Sequence, residues 1–255
     1  MNLNFYQHSA RKIDLKTPIL MIHGVFGDLT NLNSLARGLN DYRKIIQVDV
    51  RNHGHSQHTN EMNYLVMAKD ILDTLNTNRI DRIIVIGHSM GGKIAMTMTA
   101  IAPKIIEKII VIDIAPVAYK MMQSHINILT ALRAVNDANI TSRQDAADLM
   151  QQYINEHNII NFILKSFASG KWRFNLPCIH QQYKEILDWQ IVPAWPHPAL
   201  FIRGEYSHYL DERYYHSLLN QFPKAHIHMI ASAGHWVHFD KFYEVLTIIQ
   251  QFLLI

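Results

Sequence analysis

The amino-acid sequence predicts an α/β protein: an open, mostly parallel, doubly wound sheet that carries one long helical insert. Three observations predict it. Short β-branched runs alternate with helical stretches along most of the chain. Those runs are apolar at nearly every position, as in strands covered on both faces, and do not alternate polar with apolar. The alternation then fails once, between about Val117 and Trp195, where helical pieces follow one another without a convincing strand.

LNFYQ (3–7) reads as an antiparallel edge strand, and PILMIH (18–23) as the first long strand, followed by a helix over 30–40. KIIQVDV (44–50), a helix over 62–77, RIIVIG (82–87) and a helix over 90–102 repeat that unit. KIIVIDI (108–114) ends the first half. In the long segment, HINILTALRAV, SRQDAADLMQQYI, IINFILKSF and PCIHQQYKEIL have helical periodicity, and Ser142 with Asp145 matches a capping box. ALFIRG (199–204), a helix over 211–222, HIHMIA (226–231) and a helix over 239–253 complete the pattern. The expected division is a core of residues 1–116 and 196–255 and a helical cap, or lid, of residues 117–195 inserted after the strand ending at Asp113. Such an insert belongs over the C-terminal ends of the strands, where open α/β sheets bind ligands.

Bulk properties exclude several classes. With 255 residues, 49% apolar and 18% charged, the chain builds a large core and is not disordered. No apolar run approaches the roughly 20 residues that span a bilayer, so no membrane insertion is expected. MNLNFYQHSARK lacks a secretory h-region and cleavage site. Cys178 is the single cysteine, which rules out an intrachain disulfide. Together these suggest a reducing, cytoplasmic setting. The formal charge is +3 with no Lys/Arg cluster, so no nucleic-acid partner is expected.

The chemistry concentrates where RIIVIG runs into GHSMGGKIAMTMTA. Gly87 and Gly91 stand two residues before and after Ser89, in the order strand, turn, helix. A nucleophile on so sharp a turn has a strained backbone, and side chains at the flanking positions would collide with it. The following helix directs its positive end at the serine. The competing reading is a glycine-rich turn without catalysis. Serine needs a base, and His235 in SAGHWVH lies in the loop after the final strand. The other fifteen histidines include none with that position. In HGVFG, after the first long strand, the amide of Val25 can join that of Met90 as an oxyanion hole. His23 beside it reads as a structural hydrogen-bonding residue.

These pieces resemble the α/β-hydrolase superfamily over the whole chain apart from the insert. The closer resemblance is to the small bacterial YbfF-type esterases and their mitochondrial relatives, through HGVFG, DVRNHGHS, GHSMGGK, IDIAP, KWRFN, VPAWPHPALFIRG and AGHWVH. It implies a serine esterase or acyl-CoA thioesterase with a Ser…Asp…His triad, without metal or other cofactor. Most of the superfamily places the triad acid three residues past the glycine of the strand matching ALFIRG. Here that position is Ser207. The resemblance instead points to Asp113 in IDIAP, a carboxylate at the end of an apolar run that needs a buried partner. Asp211 is the alternative acid.

HGHSQH (53–58) imitates a zinc-binding H-x-H-x-D-H motif, with Gln57 in place of the acid. A glycine-rich turn after a strand accounts for it better, so no metal site is expected. The reading is a hydrolase of short- to medium-chain acyl esters or thioesters, acting as monomer or homodimer through Ser89, Asp113 and His235. Perhydrolysis, carbon–carbon bond hydrolysis or a lyase step on the same residues, and a non-catalytic ligand-binding role, are the alternatives. Candidate substrate-binding residues are Phe26, Met121, Phe162, Trp172 and Trp236, with Met122, Phe167 and Phe174 also offered by the insert.

Overall fold

A computed structural model describes residues 1–12, 16–41 and 43–254. Seven strands form one sheet: β1 (Phe5–His8), β2 (Ile19–Ile22), β3 (Ile45–Val48), β4 (Ile83–His88), β5 (Ile106–Ile112), β8 (Ala199–Gly204) and β9 (Ala225–Ile230). Between β5 and β8, β6 (Phe167–Ala168) and β7 (Lys171–Trp172) pair with each other as a separate hairpin. The sheet order is β1-β3-β2-β4-β5-β8-β9. Only β1 runs antiparallel, Phe5 facing Val48 and His8 facing Ile45, as expected for the edge strand. Every position of β2, β3, β4 and β8 is buried, which is why these segments lack a polar alternation. β9 is the far edge, and its exposed His226 and His228 show that only one of its faces is covered.

The helices of the first half are α1 (Asn33–Leu39), α2 (Tyr64–Thr77) and α3 (Met90–Ile101). Those of the insert are α4 (Gln123–Asp137), α5 (Arg143–Met150), α6 (His157–Leu164), α7 (Leu176–Gln181) and α8 (Tyr183–Leu187). α9 (Tyr215–Gln221), α10 (Val237–Asp240) and α11 (Phe242–Leu254) follow β8 and β9. Two apolar layers sandwich the sheet. One packs Ile19, Met21, Ile84 and Ile110 against Leu35 of α1 and Ile249 of α11. The other packs Leu20, Ile22, Val85 and Val111 against Met67 of α2 and Ile94 of α3, and continues into the insert.

Boundaries move where a side chain or turn overrides periodicity. β5 begins at Ile106 and ends at Ile112, because Asp113 adopts a left-handed backbone with φ of 56°. The helix expected over 30–40 opens as a 3₁₀ turn, Leu29–Leu32, capped by Asp28. The one expected over 211–222 likewise opens as a 3₁₀ turn, Glu212–Tyr214, capped by Asp211. The last helix divides at Lys241. Ser142 caps α5, its hydroxyl accepting the Asp145 amide at 3.3 Å.

The hairpin is a departure from the expected all-helical insert. Its turn residues Ser169 and Gly170 both have positive φ, the signature of a tight hairpin turn, and its strands are too short to show a sequence period. The two ends of the insert meet. Tyr119 N donates to Leu187 O at 2.9 Å. Lys93 Nζ, from α3, donates to Leu187 O and Asp188 O at 3.1 and 2.8 Å.

Candidate active site

β4 delivers Ser89 to the C-terminal edge of the sheet at φ 53° and ψ −119°. That turn explains both glycines. A Cβ on Gly87 would stand 2.2 Å from Gly91 O, and one on Gly91 would stand 2.2 Å from Ile22 O in the neighbouring strand. Ser89 N donates to Ile112 O at 3.0 Å, which holds the turn to β5.

His235 follows β9 and reaches back over the edge. Its Nε2 lies 3.0 Å from Ser89 Oγ and its Nδ1 lies 2.7 Å from Asp113 Oδ2. Asp113 is fully buried. It follows β5 directly, and its own amide donates to Ile202 O at 2.8 Å, so it stays tied to β8. A carboxylate removed from water needs a full set of donors. Asp113 has three: His235, the Gly204 amide at 3.0 Å on Oδ1, and the Ser207 hydroxyl on Oδ2. Ser207, at the position where the superfamily usually keeps its acid, is thus a hydrogen-bond donor to the acid at the end of the neighbouring strand. Asp211 lies outside this arrangement, with its carboxylate accepting the Arg213 amide at 3.1 Å.

The backbone of His235 is also fixed. His88 Nε2–H donates to His235 O at 3.0 Å, and Gly234 N donates to Asp240 at 2.9 Å. Burial drives the pKa of His88 well below the usual histidine value, so it stays a neutral donor. Burial likewise takes His238 to about 3 and His125 to about 4. The Tyr209 ring lies against His235 at 4.2 Å between centroids, and Tyr209 Oη meets His125 Nε2 at 2.7 Å. Sequence reasoning missed His88, Ser207, Tyr209 and His125. Two had a signal there: His88 as the residue before the serine, and Ser207 at the usual place of the acid, where its role as a donor went unread.

The loop after β2 lines the same cavity. Gly27 N donates to Gly24 O at 3.2 Å, closing a turn through Val25 and Phe26. His23 Nδ1–H also donates to Gly24 O, at 2.8 Å, and His23 Nε2 accepts the Val50 amide at 3.0 Å, a structural role as expected. The amides of Val25 and Met90 have no acceptor among the described residues, and both residues line the cavity that holds Ser89 and His235.

That cavity measures about 80 Å³ and its wall is mostly apolar. Phe26, Phe162 and Trp236 line it, Phe162 and Trp236 packing at 5.5 Å. Ile128 of α4 and Ile159 and Ile163 of α6 complete the insert's side. Met121 and Trp172 are not brought to it. Met121 precedes α4 on the outer surface and is 41% exposed. Trp172 stacks on Phe174 at 5.2 Å, and Phe174 in turn packs behind Phe26, two rings from the cavity. Phe167 packs on Trp172.

The histidines of HGHSQH do not converge. His53 is buried with both ring nitrogens bonded to backbone, while His55 and His58 are exposed. Among the described residues no three His, Cys, Asp or Glu side chains form a metal-holding cluster. Nor is any described helix long and apolar enough to cross a membrane.

Residues 17–242 match the family model described as alpha/beta hydrolase fold. Esterase YbfF of Escherichia coli (strain K12) is 48% identical over 99% of this chain and 99% of its own length. An sn-1-specific diacylglycerol lipase of Xenopus tropicalis is 34% identical over 96% of this chain and 84% of its own. A solved marine microorganism esterase superimposes with a TM-score of 0.92 at 30% identity, covering 99% of each chain.

Proposed function

The chain belongs to the α/β-hydrolase fold family, and from that premise we propose that it is a serine hydrolase of carboxylic esters or thioesters. One observation carries the reading: Ser89, His235 and buried Asp113 form a continuous hydrogen-bonded line at the floor of an apolar cavity. Relatives named as esterases and a lipase support it.

In this reading Ser89 Oγ attacks the acyl carbonyl while His235 Nε2 takes its proton. Asp113 holds the Nδ1–H tautomer and stabilises the imidazolium. The amides of Val25 and Met90 receive the oxyanion, each worth about 10²–10³ in rate. His235 then returns the proton to the departing alkoxide or thiolate, leaving the acyl group on Ser89. Water enters, gives a proton to His235 and attacks the acyl carbon. Collapse of that intermediate frees the carboxylic acid and restores Ser89.

Residues 117–195 serve as the cap, with α4 and α6 supplying one wall of the acyl site. The cavity is small for a ligand pocket, which is typically about 300–1,000 Å³, and this favours short to medium acyl chains. Buried, unpaired Cys178 suits the reducing cytoplasm in which we place the enzyme.

The test is a panel of p-nitrophenyl esters and acyl-CoA thioesters of graded length, assayed with and without chelator. Hydrolysis unaffected by chelator and strongest at short to medium length is expected. No turnover of any ester or thioester, or turnover lost to chelator, would overturn the reading.

A further inference from the structure

Phe26 is conformationally out of place. The Gly24–Gly27 turn has Phe26 at its third position with φ of 65°, while Val25 before it is not left-handed. That is a type II turn, whose third position ordinarily takes glycine or asparagine. A bulky aromatic residue there is strained and persists only where its surroundings hold it.

Both backbone polar groups of Phe26 are held by side chains from distant segments. Phe26 N–H donates to His53 Nε2 at 3.3 Å. Ser166, from the insert, donates its hydroxyl to Phe26 O at 2.8 Å. His53 is fully buried, and its Nδ1–H donates to Arg51 O at 3.0 Å. A backbone amide can only donate, so His53 must carry its proton on Nδ1 and offer a lone pair at Nε2. Burial lowers the His53 pKa to about 3, which keeps that lone pair available at any ordinary pH.

Turn type has a chemical consequence. Types I and II differ by a flip of the central peptide, here Val25–Phe26. An acceptor on the Phe26 amide selects one orientation of that peptide. Gly24 O is meanwhile turned to His23 Nδ1 and Gly27 N. The Val25 N–H belongs to the same trans peptide as Gly24 O and points the opposite way.

We infer that His53, assisted by Ser166, is a positioning residue for the oxyanion hole: it holds the strained Phe26 turn that presents the Val25 amide to the substrate. The inference rests on the serine-hydrolase reading. It also gives the conspicuous HGHSQH segment a task that needs no metal.

The test compares wild type, His53→Leu, His53→Gln and Ser166→Ala for kcat, KM and inhibition by a trifluoromethyl ketone, which forms a tetrahedral oxyanion on the serine. Loss of one oxyanion donor costs about 10²–10³ in kcat. His53→Leu should lose that much in kcat and a similar factor in ketone affinity, with KM within about threefold. His53→Gln, whose amide oxygen reaches the Nε2 position, should recover at least tenfold over leucine, and Ser166→Ala should show a smaller loss of the same kind. In a Phe26→Gly background, where glycine takes the turn unaided, the cost of His53→Leu should shrink.

A folded His53→Leu enzyme with kcat and ketone affinity within threefold of wild type overturns the inference. Should leucine not fold, a folded His53→Gln enzyme decides: kcat within tenfold supports the inference and a hundredfold loss refutes it. Fluorophosphonate labelling of the wild type keeps the parent reading separate. No adduct at Ser89 defeats the serine mechanism itself, whereas an adduct with an indifferent His53 defeats only the positioning role.

Discussion

Asp113→Asn changes one atom and should disable the site without unfolding it. Asparagine accepts a left-handed backbone readily, so φ of 56° adds no penalty. The amide has one acceptor atom, where the carboxylate had two facing three donors. If its oxygen keeps the Gly204 amide, its NH₂ points at Ser207 and His235 Nδ1. Ser207 can rotate and accept. His235 can accept only by moving its proton to Nε2, and that nitrogen then faces Ser89 as a donor and takes no proton. The flipped amide instead sets NH₂ against the Gly204 N–H, a backbone donor that cannot adapt, at a cost of about 1–3 kcal/mol. The first orientation therefore wins. The corresponding change in a well-studied serine protease lowers kcat by about 10⁴, and a similar loss is expected here, with stability down by about 1–3 kcal/mol from exchanging charged for neutral hydrogen bonds. Asp211→Ala is the control. It removes the cap of a 3₁₀ turn and an exposed ion pair with Arg213, costing about 0.5–2 kcal/mol and leaving turnover intact. The assay is kcat on one p-nitrophenyl ester at pH 8, with melting followed by circular dichroism. A folded Asp113→Asn enzyme within tenfold of wild type would refute the tautomer argument.

Ser89→Ala should remove activity by about 10⁶ in kcat while preserving the melting profile, and a fluorophosphonate adduct found on another residue would count against the nucleophile. Phe162→Ala should lengthen the preferred acyl chain, since pocket contacts discriminate by about 1–3 kcal/mol per methylene, whereas exposed Met121→Ala should leave the chain-length profile where it was; equal profiles for both would move the acyl site elsewhere. Lys93 is fully buried, and burial lowers its pKa from 10.5 to about 7. Between those values the unfolded chain binds a proton that the folded one does not, so this group's contribution to stability rises with pH at up to about 1.4 kcal/mol per unit. Urea unfolding of wild type and Lys93→Met should therefore diverge in the wild type's favour from pH 7 to 9.5, and a pH-independent difference would contradict it.

Much of this was legible from residue order because the strongest constraints are local. Gly87 and Gly91 are dictated by a turn only five residues long, and the buried strands show as unbroken apolar runs. The edge strand at the N-terminus was equally readable. What escaped is long-range. Nothing near Ser207 in the chain announces a donor to a carboxylate ninety-four residues earlier. His53 drew notice for a spacing that suggests zinc, although its partners are two backbone groups. The β6–β7 hairpin was invisible because two-residue strands carry no period. Trp172 and Met121 looked like pocket residues by composition, but a side chain's neighbours depend on which face of the insert it occupies.

The insert leaves the core and returns to it at one point, where Tyr119 and Leu187 share a hydrogen bond and Lys93 grips the exit. A loop with a shut mouth transmits little of its length to the frame, and doubling such a loop adds only about 0.6 kcal/mol of closure entropy. Length added within the insert therefore costs the sheet below little, provided the contacts of Ser166 and Phe174 with Phe26 are kept. The segment is built as a cassette: under the proposed reading, the residues of α4 and α6 that face the cavity can be exchanged to retune which acyl groups enter, without altering the strand ends that hold Ser89 and Asp113.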